Sequence, residues 1–120
     1  MDEKDHFASR DAFLAAIRPL LTEEKSNKKT GLFNRAHTIF YETKSHLEPR
    51  RANLRQTGNP QIKKEVVEME QRLKTLSEQY PKEWHAWQVH DEAMRMIIEG
   101  VERGIVQEKD MQDFTKIVGE

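Results

Sequence analysis

Between Ile62 and Tyr80, six apolar or aromatic residues (Ile62, Val66, Met69, Leu73, Leu76 and Tyr80) recur at intervals of 4, 3, 4, 3 and 4. At about 100° per residue they fall within an arc of about 80°, and the rest of the segment is polar or charged apart from Val67. That period belongs to a helix. A stripe this narrow is a coiled-coil seam, which meets about one neighbour. The preceding turn, Gln56-Thr57-Gly58-Asn59-Pro60, offers a glycine for a left-handed cap and a proline that stops a helix from running on. The simplest neighbour is therefore the helix before the turn, folded back antiparallel. The alternative is a seam closed by another molecule. The fold expected from this feature is all-α, a four- or five-helix bundle built on an antiparallel hairpin of about 31–56 and 61–79.

The first arm of the hairpin carries Phe33, Ala36, Phe40, Thr43, Leu47 and Leu54 on one stripe, with Thr30 placed to cap its start. Pro49 interrupts it. The seven-residue step from Leu47 to Leu54 favours a helix that passes Pro49 with a kink, while a break at Glu48 with Pro49 opening a new helix fits nearly as well. Upstream, Phe13, Leu14, Ile17, Leu20 and Leu21 predict a helix from Ser9 or Asp11 to about Leu21, which Pro19 should kink or end. Residues 22–30 hold no apolar anchor and read as a mobile loop; residues 1–8 read as disordered.

Downstream, Pro81 is well placed to open another helix. Trp84, Trp87, Met94, Ile98 and Val101 form its main apolar stripe, and Val89 and Met96 lie almost opposite, near Ala93 and Gly100. A helix apolar on two faces is either the centre of a bundle or a core helix that also presents an interface. Gly104 reads as its cap, with Ile105 and Val106 turning back into the core, and a last helix of about Glu108 to Val118 follows with Met111, Phe114 and Val118 on one side.

The chain has 120 residues, enough for one domain spanning 1–120. It has no cysteine, which removes disulfides, thiolate metal sites and cysteine nucleophiles. No apolar run approaches membrane-spanning length, so no membrane partner is expected. The opening Met-Asp-Glu-Lys-Asp is acidic, unlike a secretory signal, and the expected location is cytoplasmic. The net charge of −1 hides an uneven distribution: residues 1–24 carry −3, residues 25–64 carry +8 and residues 65–120 carry −6. A basic centre between acidic ends is the strongest functional hint in the sequence.

Chemistry finds little purchase. None of Ser9, Ser26, Ser45 and Ser77 lies in a Gly-x-Ser-x-Gly elbow, and the five glycines form no phosphate loop. His85 and His90 are about 140° apart on a helix and cannot share one ion, and Glu42 with His46 has no second pair to complete a site. No catalytic residue, cofactor or metal is assigned. Trp84 and Trp87, with Tyr80, form an aromatic cluster that is either a docking anchor or core. On a continuous helix Lys44, Arg51 and Arg55 lie within about 40°, Arg50 borders the apolar stripe on the other side, and Lys63 and Lys64 add charge across the turn. This basic patch fits an acidic protein surface or nucleic-acid phosphates, unless the acidic faces of the following helices neutralise it.

The function expected from these residues is a non-catalytic protein–protein interaction module, a small adaptor, chaperone-like or regulatory protein for an acidic or apolar partner surface. Lys44, Arg50, Arg51, Arg55, Lys63 and Lys64 are the candidate basic contacts. Val89, Met96, Trp84 and Trp87 are the candidate apolar interface, which could also make a homodimer. The rival expectation is a small nucleic-acid-binding regulator that uses the basic segment 25–64.

Overall fold

The computed structural model describes residues 6–119. It is an all-α helical bundle of helices α1 (Arg10–Lys29), α2 (Leu32–Thr57), α3 (Pro60–Gln79), α4 (Pro81–Glu102) and α5 (Glu108–Gly119). No strand occurs among the described residues, and none of their helices is long and apolar enough to cross a membrane. The chain forms two compact units: the part up to Gly31 together with Gln88 onward, and the stretch Leu32–Trp87.

The second unit is the hairpin. Gly58 adopts φ +63° and its N–H donates to Leu54 O, closing α2. Asn59 then caps α3 by accepting from Gln61 N–H at 2.9 Å, with Pro60 in the first helical turn, where a missing N–H costs nothing. The α3 seam finds its neighbour inside the chain: Val66 and Leu73 bury against Ala36, Phe40 and Leu47 of α2 and against Ala86 and Trp87 of α4. Helix α2 runs unbroken through Pro49, which is solvent-exposed, so the continuous alternative is the one adopted. Thr30 does not cap α2. It ends α1, where its N–H donates to Ser26 O and its hydroxyl to Asn27 O, and Gly31 turns the chain at φ +81°.

The other unit holds α1, the larger part of α4, and α5. Its core is Phe13, Ile17, Leu21, Ala93, Met96, Ile97, Val106 and Phe114. Residues 22–29, expected as a loop, are instead the second half of α1. The buried positions of α1 are Phe13, Ile17, Leu21, Glu24 and Asn27, so helical phase continues with polar residues after the apolar ones stop. Pro19 is exposed and forfeits one backbone bond without ending the helix. The expected disorder of residues 1–8 also needs correction for its last three. His6 and Phe7 form a short 3₁₀ turn, and Phe7 packs on the core 5.9 Å from the Phe13 ring, beneath the Arg103 guanidinium at 4.7 Å. Residues 1–5 lie outside the described residues.

The turn between α4 and α5 follows the expected form. Gly104 sits at φ +75°, Ile105 N–H reaches back to Gly100 O and Gly104 N–H to Val101 O, and Val106 is buried. Gly100 is needed for a different reason. A Cβ there would stand 2.6 Å from Val106 Cγ2 and 3.0 Å from the Phe13 ring, so the absent side chain is what lets α1 and the turn close on α4.

Candidate functional site

The small-residue face decides which side of α4 goes inside. Ala93 and Gly100 leave room for close neighbours, and Val89 and Met96 are buried with them at 5 and 6% exposure. These two residues therefore do not form the surface expected of them. Trp87 is buried and Trp84 partly so; the Trp84 ring meets Phe40 edge-on at 5.0 Å. Both tryptophans are core of the hairpin unit rather than docking anchors.

Beyond the tryptophans, the rest of the large stripe of α4 remains outside. Met94, Ile98 and Val101 are 42, 54 and 49% exposed, at i, i+4 and i+7 on one helix face. Met111 of α5, also exposed, extends the patch. Between them runs a groove of about 300 Å³ whose apolar lining comes from Leu21, Met94, Ile97, Met111, Phe114 and Val118. Contiguous apolar surface backed by a groove differs from single exposed hydrophobes, which are ordinary.

One end of the groove is polar, with Glu24, Lys28 and His90. Glu24 is only 3% exposed, and its carboxylate accepts from His90 Nδ1, with Lys28 Nζ at 3.9 Å. Burying a carboxylate is costly unless it is met by polar partners, and the histidine and the lysine both stand against its Oε1. A second buried carboxylate, Asp110, accepts from both terminal nitrogens of Arg10 and from Gln107 N–H at 3.0 Å. The Gln107 contact is half of a capping box at the start of α5. Arg10 also donates to Ile105 O at 3.2 Å, tying the start of α1 to the α4–α5 turn. The Arg10 guanidinium, helped by the Gln107 N–H, holds the Asp110 carboxyl down at about 2.

The basic patch is largely answered within the hairpin unit. Lys44 lies 3.6 Å from Glu48, Arg50 3.4 Å from Glu65, and Arg51 3.1 Å from Glu48 and 3.3 Å from Glu70. Arg55, Lys63 and Lys64 are exposed near the hairpin turn with no carboxylate within ion-pair distance among the described residues. Tyr41 is half-exposed and stacks on His37 at 4.5 Å. Among the described residues no group of three His, Cys, Asp or Glu side chains is placed to hold a metal ion. The hydroxyls of Ser9, Ser45 and Ser77 bond to backbone groups: Ser9 caps α1 by accepting from Ala12 N–H, and the other two donate to carbonyls one turn back.

Sequence reading missed Glu24, Asp110 and the open stripe of α4. A signal existed for Asp110, which stands three residues after Gln107 at a helix start. For Glu24 the only signal was its phase with Phe13, Ile17 and Leu21. Comparison with known proteins finds no matching family model, no matching curated protein and no matching solved structure.

Proposed function

We propose that this chain is a non-catalytic protein-interaction module whose docking surface is the open stripe of α4 and the groove beside it. The observation that carries the reading is the exposure of Met94, Ile98 and Val101 on one face of a helix whose opposite face is already buried. Each such side chain left in water forgoes about 1 kcal/mol or more of burial, a cost that a partner's apolar face removes. Met94 and Met111 suit such a role because unbranched thioethers adapt to the shape of what covers them. A partner helix presenting apolar residues at i, i+3 and i+4 fits a groove of this form.

The basic-patch reading has less to work with. Lys44, Arg50 and Arg51 face carboxylates of their own chain, leaving Arg55, Lys63 and Lys64 as the exposed cations of the six. That supports an apolar partner surface over a phosphate backbone, which rewards several unpaired cations together.

Site-specific photo-crosslinking tests the reading in cells that make the protein. A photoreactive residue at position 98 is expected to give a discrete protein adduct. The same residue at Val67, which is 57% exposed on α3, should give none. Absence of any protein adduct at 98, or equal labelling at both positions, overturns the assignment.

A further inference from the structure

We infer that the occupant of the α4 stripe is a second copy of this chain, packed antiparallel about a two-fold axis that passes beside Ile98. The inference rests on the reading of that stripe as a docking surface and adds the identity of the partner.

Charge and register along α4 both favour a second copy. Taking Ile98 as zero on the helical wheel, Met94 and Val101 lie at about −40° and −60°, while Arg95 and Glu102 lie together at about +60° and +40°. The stripe therefore has one apolar border, toward the groove, and one charged border that carries a cation and an anion seven residues apart. In an isologous pair of antiparallel helices each border meets the same border of the other copy. An axis between residues 98 and 99 sets Arg95 level with Glu102 of the second copy, and Glu102 level with its Arg95. The same axis places Ile98 against Ile98 and Met94 beside Val101 of the second copy. Apolar match and charge match are thus satisfied by a single register.

Neither charge has a strong claim on it inside the monomer. Among the described residues Arg95 reaches only Asp91, at 3.8 Å, with the two side chains 70 and 47% exposed. Glu102 is exposed, with no ion pair among the described residues. Glu99, nearby on the same helix, is already held by Arg103 at 2.7 Å and does not oppose the pairing. The exposed stripe is short for a specific interface, so a weak dimer that forms with rising concentration is expected.

Sedimentation equilibrium of the full chain from about 5 to about 500 µM tests this. The wild type should pass from monomer to dimer across that range. Ile98→Glu should remain monomeric with an unchanged far-ultraviolet circular dichroism spectrum. Arg95→Glu and Glu102→Arg should each weaken association about tenfold by setting like charges opposite one another, and the double variant should restore it to within about threefold. A wild type that stays monomeric to the highest concentration overturns the second copy as occupant, while leaving the crosslinking test of the docking surface to stand or fall separately. Dimers that survive Ile98→Glu overturn the surface itself, and single-variant losses that the double variant does not recover overturn the antiparallel register.

Discussion

The two units of this chain solve the same packing problem with different interiors. The hairpin unit buries Ala36, Phe40, Leu47, Val66, Leu73, Ala86 and Trp87, with Thr43 as its buried polar residue, and sets its charges in pairs along the surface. The unit made by α1, α4 and α5 buries Glu24, Asn27 and Asp110 beside its apolar core and leaves a hydrophobic stripe in water. A long seam needs only apolar phase to define its partner. Short helix contacts define theirs with charged groups that fit at one address, a use of buried polarity that trades stability for register. Asn27 Nδ2, buried without a hydrogen-bond partner among the described residues, shows that the second strategy is not free of cost.

The largest effect expected from this difference lies at Glu24. His90→Ala removes the hydrogen-bond donor that the buried carboxylate relies on and leaves Lys28 at 3.9 Å. Breaking one side of such a pair should lower unfolding free energy by about 2–3 kcal/mol in urea titrations. Replacing both partners, Glu24→Leu with His90→Leu, should recover most of that loss, since an apolar pair leaves nothing unsatisfied. A His90→Ala effect as small as that of a surface pair would remove the contrast between the two interiors.

These interiors were unequally legible in the sequence. The seam Ile62–Tyr80, the Gly58 turn, the Pro81 start and the Gly104 cap follow from local rules, because period and backbone conformation are set by neighbours in the chain. The second half of α1 was not legible, because Glu24 and Asn27 keep the helical phase while looking like loop residues. His90, the partner that makes Glu24 tolerable, is 66 residues away. The orientation of α4 was misread for a related reason. Its bulkier stripe looks more hydrophobic, yet close approach by Phe13 requires the small face with Gly100. Of the candidate site, the apolar character of α4 could be read from sequence, and the side left open could not.

A smaller effect separates the units by pH. The Asp110 carboxyl is lowered from 3.8 to about 2 by Arg10 and the Gln107 N–H. A carboxyl depressed on folding stabilises fully above its unfolded value, and the contribution fades as pH falls through the folded value. Asp110 therefore supports the fold at neutral pH and stops doing so between about 4 and 2. Asp110→Asn should be less stable than wild type at pH 7 and converge with it by about pH 2, so its denaturation midpoint changes less across that window. Parallel profiles for the two proteins would place the Arg10 contact outside the energetics of folding.

The smallest effect belongs to the hairpin surface. The Arg50–Glu65 pair spans 3.4 Å with side chains 33 and 35% exposed, and Arg51–Glu70 spans 3.3 Å at 32 and 48%. Water and salt screen both, and holding two long side chains in place offsets much of the attraction. A double-mutant cycle of Arg50→Ala and Glu65→Ala should yield a coupling of about 0.3–0.5 kcal/mol, falling toward zero in about 1 M salt. Truncating Arg50 alone should cost slightly more than the coupling, because its aliphatic stem borders the apolar stripe of α2 and its guanidinium also donates to His46 O at 2.9 Å. A salt-resistant coupling above about 2 kcal/mol would mean that these charges are dehydrated as Glu24 is, and that the hairpin too uses polarity to fix its register.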